Sequence, residues 1–128
     1  MNKTIVIIGA GLSGLLTAYR LQELGFNVKV LEARSRIGGR IYTVESNKTK
    51  VEMGATWFND SHYHLLDVIE EFKVPYFEQF MTGISYFQTF SNVPPQEIAV
   101  PSNSPSYRFK NGTVDLINAI FSKLAPET

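Results

Sequence analysis

The chain has 128 residues, and its twelve lysines and arginines balance twelve aspartates and glutamates with no basic stripe. Nucleic acid and anionic membrane surfaces are therefore not expected partners. It contains no cysteine, which removes disulfides, thiolate nucleophiles and cysteine metal sites together.

The length suits one domain. The opening Met1-Asn2-Lys3-Thr4 leads into Ile5-Val6-Ile7-Ile8, an apolar run too short for a signal peptide and better read as a first strand. No stretch reaches the length of a membrane span, so cytoplasmic residence is the default expectation.

Gly9-Ala10-Gly11-Leu12-Ser13-Gly14 follows that strand. Gly9 permits a tight turn out of the strand. Gly11 has no side chain to keep a pyrophosphate off the backbone, and Gly14 lets the following helix pack closely. Unpaired N–H groups and the positive end of the helix dipole would favour an anion at that point. Leu15, Leu16, Tyr19 and Leu24 are expected to form the buried stripe of the helix. Gly25 reads as its C′ residue, and Phe26, Val28 and Val30 resume with a period of two.

Glu32 closes this second strand, where a carboxylate can accept both hydroxyls of a ribose. A 2′-phosphate there would meet like charge, although the nearby Arg34 would soften the repulsion. Strand, glycine turn, helix, strand and acid stand in the order of a Rossmann-like dinucleotide-binding unit. The expected fold class is α/β. Gly38-Gly39-Arg40 stands six residues past Glu32, and the paired glycines pin the backbone of an arginine whose setting calls for an anion.

The stretch Leu31-Glu32-Ala33-Arg34-Ser35-Arg36-Ile37-Gly38-Gly39-Arg40-Ile41-Tyr42-Thr43 resembles the flavin-containing amine oxidase (monoamine oxidase-like) family, and so does Glu52-Met53-Gly54-Ala55-Thr56-Trp57-Phe58. The resemblance implies FAD as cofactor. It implies that Leu12 and Ser13 offer backbone contacts to the pyrophosphate, with Glu32 on the adenosine ribose and Ala33 and Arg34 lining the same region. It sets Arg40 against the diphosphate, where a planar fork of donors gives charge-assisted bonds. Gly54, Ala55, Thr56 and Trp57 would run past the flavin end. Arg36 reads equally well as solvated surface charge.

The resemblance does not identify the substrate. It implies an FAD-dependent oxidoreductase that takes a hydride from an amine-type substrate. Related flavoproteins that desaturate carotenoids or oxidise porphyrinogens share the first two motifs, and a non-catalytic dinucleotide-binding module is a further reading. A nicotinamide dehydrogenase would use the first motif alone. Members of the family are several times longer, so the chain reads as an N-terminal portion, inactive alone, with catalytic residues expected downstream and unnamed. Missing neighbours would leave it prone to self-association.

Residues 1–75 are expected to form the first part of the FAD-binding domain, and 76–128 the start of a β-rich substrate or bridging region. Asp60-Ser61 reads as a helix start, with Leu65, Val68, Ile69 and Phe72 at helical spacing and Val74-Pro75 as the stop. His62 and His64 read as surface or capping residues without zinc spacing, and Glu70-Glu71 as a solvated face. Tyr76 to Phe80 and Ile84 to Phe90 are strand candidates joined through Thr82-Gly83, their aromatics read as core, with the border of a substrate cavity as the alternative. Asn92 to Pro105 reads as a loop. A final helix carries Leu116, Ile117, Ile120, Phe121 and Leu124 on one face, with Thr113 as its cap.

Overall fold

A computed structural model describes residues 4–99, 105–126 and 128. Met1–Lys3 and the stretch 100–104 of the expected loop lie outside the described residues. The first unit is β1 (Thr4–Ile8), α1 (Leu12–Glu23) and β2 (Asn27–Leu31), with β1 and β2 parallel and Ile5 opposite Val28. This is the βαβ start that the apolar runs and the glycine turn predict, and the fold is α/β.

The end of α1 follows from Gly25. Its φ of +82° suits a residue without Cβ, Gly25 N–H donates to Gln22 O at 2.9 Å, and Phe26 N–H donates to Leu21 O at 3.0 Å. These are the two bonds of a Schellman stop. They leave Leu24 at the C-cap, 74% exposed, so it is not part of the buried stripe. Leu15 and Ala18 are the buried residues of the helix, with Leu16 and Tyr19 partly covered.

A tight hairpin then joins β3 (Thr43–Ser46) to β4 (Thr49–Glu52), with Val44 opposite Val51. Its turn residues Asn47 and Lys48 both have positive φ, the geometry that matches the twist of a two-residue hairpin. The turn has no glycine, so the sequence carries little signal for it.

The strands β5 (Phe58–Asn59), β9 (Ser106–Phe109) and β6 (Tyr76–Glu78) form one antiparallel sheet in that order. Phe58 packs its ring 5.0 Å from Phe109 and 5.3 Å from Tyr76. Between β5 and β6 lies α2 (Tyr63–Glu71), which buries Val68 and Ile69 and partly buries Leu65 and Phe72, as its periodicity predicts. Glu71 is not simply solvated. It pairs with Arg20 of α1 across the surface.

Two expectations fail downstream. The strands β6 and β7 (Ile84–Phe87) do not form a hairpin through Thr82-Gly83. Instead β7 pairs with β8 (Gln96–Ala99), within a stretch expected to be loop. The aromatics Tyr76, Phe77, Phe80, Tyr86, Phe87 and Phe90 are all exposed, not core. The physical reason is topological. Tyr86 and Phe87 lie on the two-stranded β7–β8 ribbon, which has two open faces unless another layer covers it, and Tyr76 and Phe77 lie on β6, an edge strand of the three-stranded sheet.

The chain returns through α3 (Val114–Phe121), which packs against α1 and fully buries Leu116, Ile117 and Ile120. Each such burial contributes roughly 1.5–3 kcal/mol. Phe121, expected on the buried face, is half exposed. Among the described residues no helix is long and apolar enough to cross a membrane.

Candidate dinucleotide site

The site begins where β1 ends. Gly9 turns the chain at a φ of +101°, and its N–H donates to Leu31 O at 2.7 Å, holding the turn against the end of β2. Gly11 is the N-cap of α1. It offers no side-chain cap, and the first turn of the helix has no acidic residue. Intrahelical bonding begins only with Leu15 N–H, which donates to Gly11 O at 3.0 Å. The positive end of α1 is thus left without a side chain to neutralise it.

The glycines have different work. A Cβ on Gly14 would run into the Gly9 carbonyl, so its absence is explained by packing within the chain. A Cβ on Gly11 would meet no protein atom within 4 Å. The backbone of Gly11 (φ −77°) would accept any residue, so the bare position keeps open space in front of the helix end.

The second turn faces the first. Gly38 N–H donates to Ala10 O at 2.7 Å, Gly38 and Gly11 form a parallel β-bridge, and a Cβ on Gly39 would stand 3.4 Å from Gly11 Cα. Ile41 N–H closes the turn on Gly38 O at 3.0 Å. A third segment joins them, because Ala55 N–H donates to Arg40 O at 3.3 Å and Met53 N–H donates to Tyr42 O at 2.8 Å. Gly54 passes so close under the Arg40 carbonyl that no side chain fits there.

Together the three segments border an open cavity of about 1090 Å³. Its charged wall residues are Arg34, Arg36 and Arg40, with no carboxylate among them. None of the three arginines is in an ion pair among the described residues. Three unpaired guanidinium groups and an uncapped helix N-terminus around one space favour a polyanion of diphosphate size.

The contrast with α3 sharpens this. There Glu52 accepts from Thr113 N–H at 2.7 Å, and Thr43 Oγ1 accepts from Val114 N–H at 3.1 Å while donating to Glu52 at 2.8 Å. A carboxylate of the chain fills that helix end, whereas the first turn of α1 has no acidic residue and no side-chain cap. The same arrangement corrects the expected cap. Thr113 makes no side-chain cap bond, and its hydroxyl is buried without a partner.

Glu32 sits just beyond β2. One of its oxygens accepts from Ala10 N–H at 2.8 Å and the other from Arg34 N–H at 2.9 Å. These bonds, that from Ala10 first, hold its carboxyl below the usual carboxylate value and fix its direction. Each oxygen keeps acceptor capacity, enough for the two hydroxyls of a ribose. A group lowered in this way gives its full contribution at neutral pH and loses it as pH falls through the lowered value. Nucleotide affinity supplied by Glu32 should then stay level from about pH 8 to about pH 5.

Of the residues expected at a cofactor, Gly9, Gly11, Leu12, Ser13, Gly14, Arg34, Gly39, Arg40, Gly54 and Ala55 line the large cavity. Glu32 lines an adjoining cavity of about 520 Å³, shared with Arg34. Ala33 is exposed and lines neither. Thr56 turns its hydroxyl onto Gly54 O at 2.8 Å, and Trp57 is 70% exposed outside both cavities. Phe58, the next residue, is core. Sequence reasoning did not name Ile8, Gly38, Ile41, Tyr42 or Met53 as lining residues and left Arg36 undecided. The Gly-Gly pair was the available signal for Gly38. The others reach the wall through backbone pairing that no local motif announces.

His62 and His64 are both exposed. His62 stands at the N-cap of α2, where its Nδ1 accepts from Asn59 N–H at 3.1 Å.

Comparison with known proteins gives a consistent result. The family model described as flavin containing amine oxidoreductase matches residues 12–123. A probable polyamine oxidase 4 of Arabidopsis thaliana is 50% identical over 59 residues, covering 46% of this chain and 12% of that protein. A flavin-containing amine oxidase A of Sus scrofa is 41% identical over 91 residues, covering 64% of this chain and 17% of that protein. Among solved structures, a putrescine oxidase described as wild type bound to putrescine superposes with a TM-score of 0.68 at 30% identity. That match covers 77% of this chain and 22% of the oxidase. The chain therefore spans less than a quarter of the length of each of these three proteins.

Proposed function

The chain belongs to the flavin containing amine oxidoreductases, and from that membership we propose that it holds the ADP half of FAD in a protein that oxidises an amine-type substrate. The single observation that carries the reading is the cavity between the Gly9–Gly14 and Gly38–Arg40 turns, with three arginines and no acid on its wall. The diphosphate would lie against the open end of α1, with Arg40 beside it and the adenosine ribose on Glu32. FMN lacks the adenosine and one phosphate, and free riboflavin lacks the adenosine and both phosphates. FMN would therefore forfeit the Glu32 contact and part of the charge attraction, and riboflavin all of it.

When bound, the flavin supplies the redox chemistry by taking a hydride from the carbon next to the substrate nitrogen, with dioxygen as the reoxidant. This part of the polypeptide binds and orients. The small side chain of Ala55 would let a ring system approach the main chain, and the bond between Ala55 N–H and Arg40 O keeps that strip at a fixed distance from the diphosphate turn. The substrate region would begin after residue 75, where the exposed aromatics of β6 and β7 stand ready to meet another layer of protein.

Calorimetric titration of the chain tests the reading. FAD and ADP should bind and displace one another, and FMN should not compete. Glu32→Ala should weaken ADP by roughly 1.5–3 kcal/mol, the range for a hydrogen bond to a charged group. Equal competition by FMN, or an unchanged ADP affinity in the variant, would contradict the assignment.

A further inference from the structure

We propose that Tyr42 is a positioning residue for the anionic part of the nucleotide, acting through Arg36. The inference rests on the dinucleotide reading above and adds to it a third cation and the group that aims it. Arg36 is half buried, and its Cζ lies 4.3 Å from the centre of the Tyr42 ring. Its one protein hydrogen bond among the described residues is a long contact from Nη1 to Ile37 O, 3.4 Å. No carboxylate pairs with it there. A guanidinium held over a ring face is attracted by the ring while its in-plane N–H donors stay free. That is the arrangement of a donor fork kept ready for an anion.

Arg36 and Tyr42 both line the large cavity and the smaller one that holds Glu32. They stand on the partition between the expected diphosphate and the expected ribose. Tyr42 is well placed to hold a flexible side chain still. Its carbonyl accepts from Met53 N–H at 2.8 Å, and Arg40, two residues earlier, is pinned to Ala55 in the same way. The Tyr42 hydroxyl makes no hydrogen bond among the described residues, so the aromatic face, not the hydroxyl, is the working part. An arginine at this point would otherwise lose much of its rotamer freedom when an anion arrives.

The test compares ADP with adenosine in calorimetric titrations of the chain, wild type against variants. Tyr42→Leu should weaken ADP by about 3- to 10-fold and leave adenosine unchanged. Tyr42→Phe should restore wild-type ADP affinity. Arg36→Gln should weaken ADP by about 10-fold or more, and adding Tyr42→Leu to it should cost nothing further, because the ring acts through the arginine. Arg36 sits on a loop, so its variant reports even if the Tyr42→Leu chain fails to fold. Equal loss of ADP and adenosine in Tyr42→Leu would show a merely structural role and overturn the proposal. So would unchanged ADP binding in Arg36→Gln. Failure of the wild-type chain to bind ADP at all would instead overturn the dinucleotide reading itself.

Discussion

Gly11→Ala is expected to cost the chain its dinucleotide while leaving its fold standing. The backbone at Gly11 is already in a region open to alanine, and the added Cβ would meet no protein atom within 4 Å. The stability penalty is then that of an alanine at an N-cap, up to about 1 kcal/mol. In the binding reaction, however, the methyl group occupies the space through which a phosphate reaches the helix N–H groups. Losing two charge-assisted bonds at roughly 1.5–3 kcal/mol each amounts to about 3 kcal/mol or more, a factor of roughly 100 or greater in affinity. Thermal unfolding and ADP titration on the same sample check both halves. A variant that binds ADP normally would mean that the open space before α1 is not where the diphosphate sits.

Gly54→Ala should behave in the opposite manner. Its Cβ would be forced into the Arg40 carbonyl, and backbone atoms have little room to give. Either the bond from Ala55 N–H to Arg40 O breaks or the Gly38–Arg40 turn shifts away from Gly11. Overpacking against the main chain costs about 2–4 kcal/mol. For a chain of this size that is a fall in melting temperature of roughly 10 °C or more. Scanning calorimetry measures it directly, and an unchanged melting temperature would contradict the close pass of the 53–55 strip beneath the turn. The two variants separate a glycine kept bare for a ligand from a glycine kept bare for the chain.

How far these features were legible in the amino-acid order depends on how local their cause is. The unit from β1 to Glu32 was readable because each part is specified within a few residues. An apolar run makes the strand, glycines make the turn, Gly25 stops the helix, and the acid closes the second strand. The Gly38-Gly39-Arg40 turn was readable as a turn. Its docking onto Ala10 and Gly11 rests on main-chain bonds across nearly thirty residues.

What failed was non-local. Thr113 has the right chemistry for a helix cap, yet Glu52, 61 residues away, performs the task from the β3–β4 hairpin. The aromatics from Tyr76 to Phe90 have core composition, but side-chain identity does not say whether a covering layer exists. The partner of β6 is β9 instead of its neighbour β7, because period-two patterning marks a strand without naming its mate. Trp57 followed a motif into the expected site and stands outside the cavity. Arg36 was ambiguous for the converse reason. An arginine in a polar stretch looks like surface until the ring of Tyr42 is found beneath it.

In the proposed function both turns hold one and the same diphosphate. Backbone amide chemical shifts, followed as ADP is titrated into isotopically labelled chain, test it most directly. The amides of Gly11 to Gly14 and those of Gly38 to Arg40 should move together and saturate along one binding curve, with Glu32 and its amide partners following. Movement confined to one turn, or two turns saturating at different ADP concentrations, would contradict the shared grip.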